Sequence, residues 1–188
     1  MSTGKIIVIV APSGTGKSTL IKKIKAEFPS LVESVSFTTR PIRTGEEDGV
    51  AYNFIEKDTF LAMKEADEFI EWAEVHSNFY GTSKKFVESE LANGKHLLFD
   101  LDVQGADSFK NYFKDKAKAI FIAPPSIEEL EKRLRGRGTD STGVINLRLE
   151  NAKREVLRKD DYDFCVKNEV LEQAFIDLKN TIQQILDT

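Results

Sequence analysis

The sequence predicts an α/β fold: a three-layer sandwich around a mainly parallel sheet, with one inserted lobe and one mobile lid. Three observations carry that expectation. Four apolar stretches, 5–10, 96–102, 118–125 and 162–168, run without alternation, as strands covered on both faces require. Helical patterns lie between or after them, at 17–28, 126–134, 144–158 and 171–186. The first apolar run leads directly into a glycine-containing loop, "APSGTGKS", ahead of a helix.

Taken in order, "KIIVIV" reads as the first buried strand. Leu20, Ile21, Ile24 and Phe28 then share one helical face, Lys22, Lys23 and Lys25 fall off it, and Pro29 stops the helix. "HLLFDLD" is a second buried strand and "KAIFIAPP" a third, ended by two prolines. Ser126 and Glu129 form a capping-box pattern before Ile127, Leu130 and Leu134. Ile145, Leu149, Ala152 and Val156 mark the next helix, "YDFCVKN" a fourth core strand, and 171–186 a closing helix. Residues 33–95 break this rhythm with turns such as "RTGEEDG" and "NFYGTS" and read as the inserted lobe. Residues 136–148, glycine-rich and basic, read as the lid, which leaves 1–32, 96–135 and 149–188 as the core of one domain.

The totals narrow the function classes. At 188 residues the chain is one domain with a sizeable core, and its net charge of −4 argues against nucleic acid as a partner. The single cysteine, Cys165, allows no internal disulfide, and its apolar neighbours "DFCV" place it in the core. His76 and His96 are too far apart in sequence for helix or hairpin pairing, so a histidine metal site is not expected. No stretch approaches the ~20 apolar residues of a membrane span, and no signal peptide opens the chain, so a soluble cytoplasmic protein is expected.

"APSGTGKS" matches the Walker A pattern G-x-x-x-x-G-K-[ST] except at Ala11. Ala is tolerable there if its φ is negative. Backbone N–H groups of such a loop form a nest for phosphate, and the following helix adds its N-terminal dipole. Residues Ala11, Pro12, Ser13, Gly14, Thr15, Gly16, Lys17, Ser18 and Thr19 are thus the candidate ATP loop. Lys17 would reach the β- and γ-phosphates, and Ser18 would place its hydroxyl on Mg²⁺. Asp100 and Asp102 lie two apart at the end of the second strand, hence on one face, with Asp100 the candidate metal acid.

The inserted lobe points to the acceptor. Arg40 and Arg43 share one short turn-forming segment with Tyr52 following, a pattern suited to a terminal phosphate. Solvated surface arginines are the plain alternative, less persuasive for a pair than for one. Glu71 stands between Ile70 and Trp72, where an unpaired carboxylate is costly. Guanine offers a carboxylate two adjacent N–H donors and adenine does not; a half-exposed surface glutamate is the alternative.

"APSGTGKST", "TTRPIRTGE", "EFIEW", "YGTS", "DLDVQG", "IAPPS" and "RLRGRGT" occur in this order, and the chain resembles the guanylate kinase family over residues 4–186. The resemblance implies a P-loop NTPase sandwich with an NMP-binding lobe and lid. The implied reaction is ATP + GMP = ADP + GDP with Mg²⁺, and acceptance of dGMP stays open. It implies that Arg40, Arg43, Tyr52 and Tyr80 hold the GMP phosphate, and that Ser36, Glu71, Thr82 and Asp102 read guanine. It also implies that Arg133, Arg137 and Arg148 close over the transferring phosphate with Lys17, and that Asn168 lies on the adenine side. Ala11, Phe37 and Thr82 depart from the family pattern without removing a charge. A non-catalytic guanylate kinase-like binding module is the other reading, disfavoured because Lys17, Ser18, Asp100 and the flap arginines are all present. A GTPase switch is weaker still, since no N-K-x-D motif occurs.

Overall fold

The structure, a computed structural model, describes residues 4–50, 52–75, 77–136 and 141–188. In chain order the elements are β1 (Ile6–Val10), α1 (Lys17–Glu27), β2 (Leu31–Glu33), β3 (Phe37–Thr38), β4 (Asn53–Phe54) and α2 (Lys57–Glu65). β5 (Phe69–Val75), β6 (Asn78–Ser83), α3 (Lys84–Ala92), β7 (His96–Leu101), α4 (Val103–Phe113) and β8 (Ala117–Ala123) follow. The chain closes with α5 (Ile127–Gly136), α6 (Thr142–Val156), β9 (Phe164–Lys167) and α7 (Leu171–Leu186).

β2, β7, β1, β8 and β9 form, in that order, a five-stranded sheet whose ladders are all parallel. Period two along β1 explains the layers. Ile7 and Ile9 join Leu20 and Ile24 of α1 and Leu178 and Ile182 of α7 on one face. Ile6, Val8 and Val10 join Phe109 and Phe113 of α4 and Val87 of α3 on the other. A second sheet, in the order β4-β3-β6-β5, builds the lobe, whose core is the stacked rings of Phe60, Phe69 and Phe79.

The α/β class and the parallel sheet agree with the sequence expectation, and four differences have physical causes. β2 is a fifth core strand that the periodicity missed, because three residues carry no pattern. α4 was missed because its apolar face begins only after Asp102 caps it, the carboxylate accepting from the Gly105 N–H at 2.8 Å. α3, assigned to the lobe, lies on the core sheet through the fully buried Val87. α6 begins at Thr142, ahead of the helix expected at 144–158 and inside the expected lid, whose residues 137–140 lie outside the described ones; Ser141 caps it by accepting from the Val144 N–H.

Cys165 is a correction: it is exposed, not core. β9 is an edge strand whose Val166 alone is fully turned inward, so the thiol lands on the outer face. The Ser126 cap is present, its hydroxyl accepting from the Glu129 N–H at 3.1 Å. Among the described residues, no helix is long and apolar enough to cross a membrane.

Ile120 sits fully buried in the middle of β8 within the core shared with α1 and α7. Ile120→Ala should therefore lower the unfolding free energy by about 2–5 kcal/mol, read as a shift in urea midpoint at unchanged slope.

Candidate active site

The P-loop spans the gap between β1 and α1. Gly14 and Gly16 adopt φ of 91° and 98°, which side-chain-bearing residues avoid. A Cβ on Gly16 would also lie 2.7 Å from the Asn168 amide nitrogen. Ala11, by contrast, is not a positive-φ position, so the departure from the motif is accommodated. The loop is braced from inside. The Thr15 hydroxyl donates to the Pro12 carbonyl at 2.7 Å, and the Asn168 side-chain amide donates to the Thr15 carbonyl at 2.7 Å. Asn168 itself is only 3% exposed, tied by its own N–H to the Ala123 carbonyl and by its carbonyl to the Arg133 guanidinium. The asparagine thus supports the loop from behind. Nothing acidic occupies the first turn of α1 and no side chain caps it, so the positive end of its dipole is not offset locally.

The register of β1 with β7 sets Ile9 beside Asp100 and Val10 beside Leu101. Lys17 therefore reaches both: its ammonium lies 2.5 Å from Asp100 Oδ1 and donates to the Leu101 carbonyl at 2.9 Å. A cavity of about 450 Å³ is lined by most of the P-loop together with Asp100, Asp102 and Glu155. Ser18 and Asp100 border it and offer the hard oxygen donors Mg²⁺ favours. Among the described residues, no group of three or more His, Cys, Asp or Glu could hold a metal. From α6, Arg148 donates to the Ser13 hydroxyl at 3.0 Å. Arg133 on α5 stays near Glu129 at 3.6 Å, and Arg137 lies outside the described residues.

A second cavity, about 310 Å³, adjoins the first through Asp100 and Asp102 and is lined by Ser36, Tyr52, Glu71 and Tyr80 among others. Tyr52 and Tyr80 meet edge to face at 5.8 Å, and the Arg40 guanidinium lies 5.4 Å from the Tyr52 ring centre. A β-bulge aims Glu71. Phe69 faces Ser83, so an unshifted ladder would set Glu71 against Gly81; the register shift between Phe69 and Glu71 sets it against Thr82. The buried Thr82 hydroxyl accordingly donates to Glu71 Oε1 at 2.6 Å. That hydroxyl has one hydrogen, so at 3.4 Å it is Ser36 that donates to Thr82. Burial pushes the Glu71 carboxyl above its ordinary range, the Thr82 hydrogen bond opposes this, and Asp102 adds to it.

The structure thus gathers Ser36, Tyr52, Glu71, Tyr80, Asp100 and Asp102 around one cavity, with Thr82 behind Glu71 and Arg40 beside Tyr52. Two residues had no role in the sequence reading. Glu46 closes both ends of its carboxylate on Arg40, at 3.0 and 2.9 Å. Glu155 lines the P-loop cavity seven residues after Arg148, a spacing that alone put both on one face of α6. Burial and then the Asp102 charge raise its carboxyl.

A parallel sheet with a P-loop at the carboxyl end of β1, a lysine and an aspartate beside it, and a second cavity alongside defines a P-loop phosphotransferase. Comparison with known proteins narrows the class. The guanylate kinase family model matches residues 3–185. Guanylate kinase of Oleidesulfovibrio alaskensis is 46% identical over 177 residues, 94% of this chain and 85% of that protein. That of Sulfurimonas denitrificans is 47% identical over 172 residues, 92% and 84% of the two chains. The crystal structure of guanylate kinase from Anaplasma phagocytophilum superposes with a TM-score of 0.70 at 34% identity, covering 97% of this chain and 86% of that one. The chain belongs to the guanylate kinase family.

Burial favours protonated Glu71, so the stability it contributes is present below the ordinary carboxylate range and is lost as pH rises through its raised value. Glu71→Gln should therefore raise Tm at neutral pH, and the gain should vanish below about pH 4. Thermal unfolding of both proteins across that range checks it.

Proposed function

We propose that the protein phosphorylates GMP with ATP, giving ADP and GDP, and that the two adjoining cavities hold the two nucleotides. The observation that carries this reading is the bulge-aimed Glu71 in the cavity next to the P-loop, a carboxylate acceptor turned toward the space a base would fill. Guanine presents N1–H and its 2-amino group to such an acceptor. AMP would leave it unpaired, and sites of this kind reject the wrong partner by roughly 10⁴-fold or more.

In this reading ATP lies on the P-loop with its β- and γ-phosphates at Lys17 and at backbone N–H groups of the loop. Arg40, Arg43, Tyr52 and Tyr80 hold the GMP phosphate, while Ser36, Glu71, Thr82 and Asp102 read its base. An oxygen of the GMP phosphate attacks the γ-phosphorus in line with the bond to the leaving ADP oxygen; the new P–O bond forms as that bond breaks. The acceptor oxygen is already largely deprotonated at neutral pH, so no general base is needed. Lys17, Arg133, Arg137 and Arg148 meet the charge on the transferring group. Ser18 and Asp100 would hold Mg²⁺, which when bound supplies further neutralisation of the phosphates. Lys17 also pairs with Asp100, which sets the ammonium beside the proposed metal acid. Closure of the lobe and lid excludes water, which would otherwise hydrolyse ATP. ATP and GMP are free metabolites, and the acidic net charge and lack of a membrane-spanning helix among the described residues suit a cytoplasmic enzyme.

ADP formation from Mg·ATP, measured with GMP, AMP, UMP and no acceptor, tests the reading. Turnover is expected with GMP alone, and Lys17→Met should lower it by roughly 10²–10³-fold or more. GMP binding without turnover for any acceptor would make the chain a binding module instead, and comparable turnover of AMP would remove the role given to Glu71.

A further inference from the structure

Arg40 is held unusually completely for a residue beside a ligand cavity. Its side chain is 11% exposed, and its guanidinium lies 5.4 and 5.5 Å from the ring centres of Tyr52 and Phe54. Nη1 donates to the Pro41 carbonyl at 2.8 Å and to Glu46 Oε2 at 3.0 Å; Nη2 donates to Glu46 Oε1 at 2.9 Å. A guanidinium has five N–H groups. Three are taken, including both on Nη1. The remaining two, on Nε and Nη2, lie along a single edge and make one bidentate fork. Glu46 first, and Tyr80 after it, push the Arg40 guanidinium above its ordinary range.

Glu46 does a second thing with the same oxygen. Oε2 also accepts from the Arg43 backbone N–H at 2.8 Å, and the Glu46 N–H donates back to the Arg43 carbonyl at 3.0 Å. One carboxylate therefore fixes the guanidinium of one arginine and the backbone of the other. These two contacts, Arg40 first, hold the Glu46 carboxyl below its ordinary range.

We propose that Glu46 is a positioning residue for the acceptor phosphate. It blocks the end of the Arg40 guanidinium so that only the Nε–Nη2 edge meets the phosphate, and it sets Arg43 at a fixed offset from that edge. The inference rests on the reading that Arg40 and Arg43 hold the GMP phosphate. A carboxylate beside an anion site weakens the attraction of that site for anions. Its presence is therefore explained by geometry: an arginine free to turn offers several forks, and in-line transfer tolerates little misalignment of the acceptor.

Glu46→Gln is the test, because glutamine keeps one acceptor oxygen and turns an N–H₂ toward the guanidinium. Affinity for GMP and for guanosine, which lacks the phosphate, is measured by calorimetry alongside Tm. GMP affinity should fall about 10- to 100-fold and guanosine affinity stay within about twofold, with Tm little changed. In an Arg40→Ala background the same change should cause no further loss of GMP affinity. Glu46→Asp, which keeps the charge but withdraws it by one methylene, should fall between the two and serves if the glutamine variant does not fold. Equal losses for GMP and guanosine would mean that Glu46 merely supports the lobe. Unchanged or tighter GMP binding in Glu46→Gln would mean it only repels the ligand. Either result overturns the proposal. Unchanged GMP affinity in Arg40→Ala alone would instead overturn the phosphate reading beneath it.

Discussion

Ile9 stands beside Asp100 in the ladder between β1 and β7, and that one pairing governs the rest of the site. Parallel strands end at the same edge of a sheet, so the residues leaving β1 and those leaving β7 emerge together although 91 positions separate the pair. The P-loop and the two aspartates become neighbours, and Lys17 then ties the two segments directly through Asp100 and the Leu101 carbonyl. A slip of one residue would turn Leu97, Leu98 and Phe99 to the wrong faces, and the two apolar layers on either side forbid it. The core thus fixes the catalytic edge.

A second brace comes from the opposite side of the sheet. β9 ends at Lys167, and the next residue, Asn168, turns its amide under the P-loop to the Thr15 carbonyl. The same residue accepts from Arg133. Buried polar groups require partners, and this one has them on the strand β8, the loop and the helix α5. The loop is thus held open from below by a residue far along the chain, while its upper surface is left to phosphate.

How much of this was legible in the sequence depends on the range of the signal. Uninterrupted runs such as "KIIVIV" and "HLLFDLD" announced buried parallel strands because burial on both faces leaves no alternation to misread. The P-loop was legible because its glycines are required locally. β2 was not, since three residues hold no period, and α4 was not, since its start depends on a cap that only the folded Asp102 provides. Glu71 could be suspected from its apolar neighbours, but what aims it is a register shift between two strands, which no spacing records. Cys165 failed for a related reason: an apolar neighbourhood in sequence says nothing about which face of an edge strand a side chain takes. Glu46 stood in plain view within "TTRPIRTGE", yet its use of both oxygens on two arginines emerges only once the turn is built.

The two outer strands of the core sheet are its shortest, three residues in β2 and four in β9. Each also carries charge, Glu33 on one and Lys167 on the other, and Glu33 is already paired to Lys25. An open parallel sheet presents two rows of unpaired backbone groups to any passing extended chain. Here the rows are too brief and too charged to template another strand, so a fold that never closes into a barrel still has borders that resist growth by strand addition.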